Sequence, residues 1–295
     1  MNISKKFKEK EVVFSFEVFP PRDITPIESI YGALDKLTDL NPDFLSVTYG
    51  AGGSLKNNKT SILSSYIKNS CRKESLAHLT CIGSRKEEID FILEELKENN
   101  IENILALRGD IRNDENTKGD FKYGYELINY IKSKGNFNVV ASCYPEGHAE
   151  NKDIQKELEN TKGKLEAGAD SFISQLFFDN EIFLRYLDKC YNRGINVPIQ
   201  AGIMPVINKN QINRIASLCK VNIPKKFIKI MDKYEHDKEA LKAAGIAYAT
   251  EQIVDLVSSG VQGIHLYTMN NVYVATKISE NLNTILNSIN SKVAI

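Results

Sequence analysis

Glu17 stands in the run Ser15-Phe16-Glu17-Val18-Phe19-Pro20-Pro21-Arg22, an apolar stretch that carries one carboxylate and then meets two prolines. The segment from Val12 reads as a buried strand, and a double proline cannot continue its hydrogen-bond ladder, so the acid sits at a strand's C-terminal end. Period-2 alternation puts Phe14, Phe16 and Val18 on one face and Val13, Ser15, Glu17 and Phe19 on the other. A carboxyl in such surroundings is paired, solvated in a cleft or held partly protonated, and the last state suits a general acid. The plainer alternative is a carboxylate that caps the next helix or pairs with Arg22.

Other polar residues recur at the ends of apolar runs. Leu45 and Val47 alternate with Ser46 and Thr48, Ala77 and Leu79 with His78 and Thr80, and Ile264 and Leu266 with His265 and Tyr267. Leu105 and Leu107 alternate with Ala106 and Arg108, followed past Gly109 by Asp110, and another run ends Ile173-Ser174-Gln175. In a closed barrel the apolar parity faces the helices and the other faces the lumen, which assigns Ala106, Arg108 and Asp110 to the lumen side. His78 or His265 alone reads as a satisfied core histidine. Together, Glu17, Thr48, Thr80, Arg108, Asp110, Gln175 and Tyr267 converge on strand C-termini, where barrel enzymes build their sites.

The turn Tyr49-Gly50-Ala51-Gly52-Gly53-Ser54 opens a helix and could cradle an anion with its backbone N–H groups, although it lacks the G-x-G-x-x-G spacing and reads equally as a plain loop. No H-E-x-x-H, G-x-S-x-G or Walker sequence is present. No cluster of His, Cys and Asp has metal-ligand spacing, so no metal is expected.

The elements that must position these residues alternate along the whole chain. Strand candidates are 12–18, 44–48, 76–82, 103–107, 138–143, 171–175, 197–202 and 263–268. Helix candidates lie near 27–39, 58–70, 85–99, 122–133, 151–167, 179–193, 208–218 and 236–259, with a last one at 272–289, and the stretch from Asn222 to Tyr234 reads as an extra helix. Eight β-then-α units point to a (β/α)8 TIM barrel formed by residues 1–295 as a single domain, with a doubly wound sheet as the alternative.

Composition narrows the class. Lys plus Arg and Asp plus Glu both total 38 in the 295 residues, so no net charge draws the chain to nucleic acid or to anionic membranes. No stretch approaches the roughly 18 consecutive apolar residues of a spanning helix, and the basic N-terminus is followed by Glu9, Lys10 and Glu11 rather than by the apolar core of a secretory signal. Five scattered cysteines without a C-x-x-C pair read as reduced, mostly buried thiols of a cytoplasmic protein.

In order, S-F-E-V-F-P-P-R, S-V-T-Y-G-A-G-G-S, H-L-T-C-I, A-L-R-G-D, Y-P-E-G-H, Q-L-F-F-D, G-I-M-P-V and H-L-Y-T-M-N strongly resemble the methylenetetrahydrofolate reductase family, over residues 12 to 275. The resemblance implies an FAD-binding barrel that reduces 5,10-methylenetetrahydrofolate to 5-methyltetrahydrofolate by ping-pong turnover. It places the general acid on Glu17 and a flavin-proximal aspartate on Asp110. FAD contacts fall on Thr48, His78, Arg108, Gly109, Asp110, Tyr123, Tyr144, His148, Glu157, Asn160 and Lys164. Folate contacts fall on Glu17, Gln175, Gln211 and Tyr267. The implied partners are the folate, NADH or a reduced electron-carrier protein as donor, and either a second copy of the chain or an electron-transfer subunit.

Two positions depart from the family pattern: Asn271 stands where bacterial members commonly carry an Arg for the substrate's glutamate tail, and Ile215 where they carry a substrate-stacking Phe. Lys277 is a second candidate for the tail contact. The chain ends at Ile295, so no counterpart of the eukaryotic members' regulatory domain is expected. The departures keep two other readings open: a flavoprotein subunit served by a partner protein rather than NADH, and a flavin-free folate-processing barrel enzyme.

Overall fold

The computed structural model describes residues 1–22, 24–49, 59–110 and 119–291, without the side chains of Asn210, Gln211 and Asn213. Eight parallel strands close into a barrel in chain order: β1 (Val13–Val18), β2 (Phe44–Val47), β3 (Glu74–Thr80), β4 (Asn103–Leu107), β5 (Asn138–Cys143), β6 (Ser171–Ser174), β7 (Ile199–Ile203) and β8 (Gly263–Tyr267). β1 pairs with β8 through Glu17 opposite Tyr267, which completes the closure. The doubly wound alternative is thereby excluded.

Eleven α-helices are described. They are α1 (Lys6–Glu9), α2 (Tyr31–Asp39), α3 (Lys59–Ser65), α4 (Lys86–Glu98), α5 (Gly124–Ser133), α6 (Ile154–Glu166), α7 (Asn180–Tyr191), α8 (Lys209–Cys219), α9 (Lys225–Lys233), α10 (Lys238–Ser258) and α11 (Val272–Asn290). The extra helix expected between Asn222 and Tyr234 is α9. Aspartates set several helix starts: Asp153, Asp179 and Asp237 accept from the first backbone N–H groups of α6, α7 and α10. None of the described helices is long and apolar enough to cross a membrane.

The barrel wall sorts its side chains as alternation requires. Phe16, Val18, Leu45, Val47, Ala77, Leu79, Val139, Ala141, Ile264 and Leu266 pack outward against the helices, each fully buried large side chain contributing about 1.5–3 kcal/mol. Inside, Val13, Phe44, Leu76, Leu105, Val140 and Ile173 form an apolar floor that Ile3 plugs from below. Ile3 N–H donates to Asn103 Oδ1 at 2.9 Å, and Asn103 Nδ2 donates to the carbonyls of Met1 and Ser75.

This plug corrects the expected phase of β4. Leu105 packs in the lumen floor and Leu107 against it, whereas Ile104 and Ala106 face the helices. Every residue from Ile104 to Leu107 is apolar, so alternation alone gives that strand no polar marker. Its phase is fixed by Asn103, whose buried amide serves the N-terminal segment. Arg108 consequently leaves the strand on the helix side, not the lumen side.

Candidate active site

Glu17 is 7% exposed at the C-terminal end of β1. Its Oε2 lies 3.6 Å from His78 Nε2 of β3 and 3.7 Å from His265 Nε2 of β8. Neither plainer alternative holds: the described ion-pair contacts of Glu17 are with these histidines, not with Arg22. Burial pushes the His78 imidazole down to about 4, against the opposing pull of Glu17, so at neutral pH the contact joins a carboxyl to an uncharged ring. His78 Nε2 has no hydrogen-bond partner among the described residues, which makes it an exception to the satisfied core histidine expected of its type.

The loop after β8 clamps the strand end that carries Glu17. Thr268 Oγ1 donates to the Glu17 carbonyl at 2.6 Å. Asn270, at φ 57°, accepts from Phe19 N–H with Oδ1 at 2.8 Å and donates to the Phe19 carbonyl with Nδ2 at 2.9 Å. Neither residue stood out in the sequence; the available signal was an Asn pair at a strand-to-helix turn, where asparagine tolerates positive φ.

A second feature opens at the C-terminal ends of β4 and β5. A cleft of about 420 Å³ is walled by Arg108, Tyr123, Tyr144, His148, Asn160 and Lys164, with Ala106, Gly124 and Ser142 deeper in. Glu150, which the sequence did not mark, also lines it. Its carboxylate takes the Arg108 fork bidentately at 2.9 and 2.6 Å. That hydrogen bond is the first cause both of the raised Arg108 pKa and of the lowered Glu150 pKa.

Lys164 donates to the Ser142 carbonyl at 2.7 Å with its ammonium 5.4 Å over the Tyr144 ring, and burial pulls its pKa down. Glu157 is 2% exposed; it accepts from Tyr144 N–H and from Thr161 Oγ1, both at 3.1 Å, and burial pushes its pKa up. Burial also lowers His148 and raises Tyr144 to about 12.

The remaining expected residues fall around these two centres. Gly109 turns the chain at φ +87°, where a Cβ would stand 2.9 Å from Ile82 Cγ2, so only glycine fits between Arg108 and Asp110. Asp110 is exposed, and its charge reaches Arg108, His148 and Cys219 at the end of α8. Thr48 N–H donates to the Val18 carbonyl at 3.1 Å, which holds it beside the end of β1.

Gln175 turns Oε1 onto Leu176 N–H at 2.9 Å, and Tyr267 donates its hydroxyl to the Ser174 carbonyl at 2.8 Å. The side chain of Gln211 and the turn Gly50 to Ser54 lie outside the described residues.

Of the two departures, Ile215 packs against the apolar cluster of Leu176, Phe178, Met204, Ile212 and Phe227 that Tyr267 also joins. Asn271 is the N-cap of α11, its Oδ1 accepting from Val274 N–H at 3.1 Å. Lys277 lies on the outer surface of α11 and pairs with Glu280 at 2.8 Å.

Comparison with known proteins gives one family. The family model described as methylenetetrahydrofolate reductase matches residues 2–283. The chain is 35% identical over 285 residues to the 5,10-methylenetetrahydrofolate reductase of Escherichia coli (strain K12), covering 96% of this chain and 94% of that one. It is 36% identical over 278 residues to methylenetetrahydrofolate reductase (NADH) 1 of Arabidopsis thaliana, covering 89% of this chain and 47% of that protein. The chain thus spans about half the length of the plant relative and nearly all of the bacterial one. Among solved structures, an uncharacterized protein from Clostridium thermocellum that binds two copies of 5-methyl-5,6,7,8-tetrahydrofolic acid superposes with a TM-score of 0.64 at 12% identity, over 96% of this chain and 99% of that one. That likeness concerns the fold alone.

Proposed function

The chain belongs to the methylenetetrahydrofolate reductase family, and from that premise we propose that it reduces 5,10-methylenetetrahydrofolate to 5-methyltetrahydrofolate, with FAD as resident cofactor and Glu17 as general acid. The observation that carries this reading is the presence of two unlike centres at the C-terminal ends of the barrel strands. One is a nearly buried carboxyl on β1; the other is a cleft beside β4 and β5 walled by a guanidinium, an ammonium and two tyrosine rings. The cleft suits FAD. Arg108 and Lys164 are cations fit for a pyrophosphate, and Tyr123 and Tyr144 offer ring faces. Bound there, FAD would supply the hydride chemistry, accepting from the donor and giving to the folate in separate half-reactions.

The chain's own part is to move one proton and hold the folate. Opening the methylene bridge to an iminium needs a proton on the departing nitrogen, and Glu17 supplies it, a contribution of roughly 10²- to 10⁴-fold. A neutral His78 beside Glu17 does not lock the carboxylate into an ion pair. The exposed carboxylate of Asp110 stabilises the cationic iminium. Gln175, its Oε1 engaged by Leu176, offers its amide nitrogen to the pterin. Tyr267 stays un-ionised, because burial and then Glu17 push its pKa well above 10.

An absorbance spectrum of the purified protein, followed by anaerobic titration with NADH, tests the reading. The expected result is a flavin spectrum that NADH bleaches and 5,10-methylenetetrahydrofolate restores. A colourless protein that still turns over folate would assign a flavin-free reaction, and bound flavin that NADH leaves oxidised would make a reduced electron-carrier protein the donor.

A further inference from the structure

Glu17 stands where its strand is about to lose a neighbour. β8 ends at Tyr267, the residue opposite Glu17, and Pro20 and Pro21 follow two residues later on β1's own chain. The β1 edge that faces β8 thus runs out of strand partners at the acid itself. The polar side chains beneath it are engaged with one another: His265 sets Nδ1 2.7 Å from Ser15 Oγ and Nε2 3.2 Å from Ser46 Oγ, and Gln200 Nε2 donates to Ser15 Oγ at 3.1 Å. The support that reaches Glu17 comes instead to its backbone, from the loop after β8.

Counting donors and acceptors assigns each of these contacts. The Glu17 and Phe19 carbonyls can only accept, and the Phe19 N–H can only donate. Thr268, 2% exposed, therefore gives its hydroxyl hydrogen to the Glu17 carbonyl at 2.6 Å, and it accepts from Asn270 N–H at 3.2 Å. The Asn270 carboxamide turns Oδ1 to the Phe19 N–H at 2.8 Å and Nδ2 to the Phe19 carbonyl at 2.9 Å. It supplies the acceptor and the donor that a longer β8 would have offered. The turn that aims it is strained: Met269 and Asn270 stand in succession at φ 52° and 57°, a region that non-glycine residues rarely enter and that clusters at functional sites.

We infer that Thr268 and Asn270 are positioning residues for Glu17. They hold the three successive peptide units that follow its Cα, while Thr48 N–H holds the Val18 carbonyl from the β2 side, and so they fix the direction in which the acid leaves the strand. The inference rests on the reading of Glu17 as the general acid. Its physical content is alignment: proton transfer needs donor and acceptor within hydrogen-bond reach, and a misplacement of about 1 Å slows a reaction on the order of 10²-fold. Asparagine is the side chain that fits at 270. Aspartate has no hydrogen for the Phe19 carbonyl, glutamine sets its amide one carbon farther out, and asparagine tolerates the positive φ.

The test uses the flavin-loaded full chain with Thr268→Val, Thr268→Ser, Asn270→Asp and Asn270→Ala, each alone, and with Thr268→Val and Asn270→Asp also combined with Glu17→Gln. Each half-reaction is followed separately by stopped flow, dithionite serving as reductant and 5,10-methylenetetrahydrofolate as oxidant. Thr268→Val, which keeps the shape and removes the hydroxyl, is expected to leave flavin content and reduction within about twofold and to slow reoxidation by the folate roughly 10- to 100-fold. Thr268→Ser should recover most of the rate, and Asn270→Asp should fall alongside Thr268→Val. In the Glu17→Gln background, Thr268→Val should slow the folate half-reaction less than about twofold further, because residues that act as a unit are not additive. Should Thr268→Val fail to hold flavin, Asn270→Asp with and without Glu17→Gln carries the same comparison.

A readout independent of turnover is the exchange of the Phe19 amide hydrogen, which Asn270 Oδ1 accepts. Hydrogen exchange at Phe19 should run roughly tenfold faster in Asn270→Ala than in wild type. Three results overturn the inference: unchanged exchange at Phe19, folate reoxidation in Thr268→Val within about twofold of wild type while Glu17→Gln loses it, or an equal loss from Thr268→Val with and without the Glu17 carboxyl. If Glu17→Gln itself keeps its folate half-reaction, the reading of Glu17 as acid fails, and the inference with it.

Discussion

On the β1–β8 side of the barrel, the contacts of Glu17 come from strand positions: His78 from β3 and His265 from β8, with Ser15, Ser46 and Gln200 behind them. On the β4–β5 side, the cleft takes Arg108 from just past a strand, His148 and Glu150 from a loop, and Lys164 from a helix. The first side is buried and hydrogen-bonded through paired strands; the second is half open, and its strongest link, Arg108 to Glu150, joins a residue 22% exposed in its side chain to one 55% exposed. Under the proposed function the difference is a division of labour: proton transfer needs sub-ångström placement, which strands supply, whereas holding a large anion needs charges that can change partners as it enters.

The largest expected effect breaks the strand side. Glu17→Gln should slow folate reduction by roughly 10²- to 10⁴-fold while leaving flavin content and flavin reduction near wild type, as stopped-flow half-reactions would show. Comparable loss in both halves would make Glu17 structural.

Stability against pH reads the same side through His78. An ordinary histidine titrates near 6.5, and burial holds this one near 4. Above 6.5 neither folded nor unfolded chain binds the proton and the group contributes nothing. As pH falls from 6.5 towards 4, the unfolded chain takes it and the folded one does not, so stability drops by roughly 3 kcal/mol in total. Denaturant unfolding at pH 7 and pH 4.5 should show less acid loss in His78→Gln than in wild type.

The cleft side is broken by Arg108→Ala, which should weaken FAD about 10- to 150-fold, the worth of a charge-assisted hydrogen bond, measured by fluorescence titration of the apoprotein. At saturating FAD the folate half-reaction should stay within a fewfold of wild type, since Arg108 does not touch the Glu17 network. A parallel loss in that half-reaction would erase the distinction between the two sides.

Asn271 sharpens the comparison at the rim. Asn271→Arg should lose the N-cap of α11 and about 1 kcal/mol of stability, while Asn271→Asp retains it, as paired thermal melts would show. The smallest effect is at the link itself. Glu150→Gln frees the Arg108 fork and should tighten FAD about two- to fivefold, with the gain shrinking as salt is raised.

Local pattern alone was enough for the order of the eight β-then-α units, the placement of Glu17 at the end of β1 and the parity of β2, β3 and β8, because toward the C-terminal end of each of those strands polar residues alternate with apolar ones. It failed on β4, where Ile104 to Leu107 are all apolar and the phase depends on Asn103 meeting a segment a hundred residues earlier. The motif order carried the resemblance that drew attention to Arg108, Tyr144 and Lys164, but not the Arg108–Glu150 pair that closes their cleft, since a salt bridge leaves no periodic trace. Likewise nothing local to Asn271 separates a helix cap from a lost ligand contact. Ser15, Gln200 and His265 were three unrelated polar residues in three strands until barrel closure set β1 beside β8 and β8 beside β7. Hydrogen-bond geometry is a property of that closure, and no window of sequence contains it.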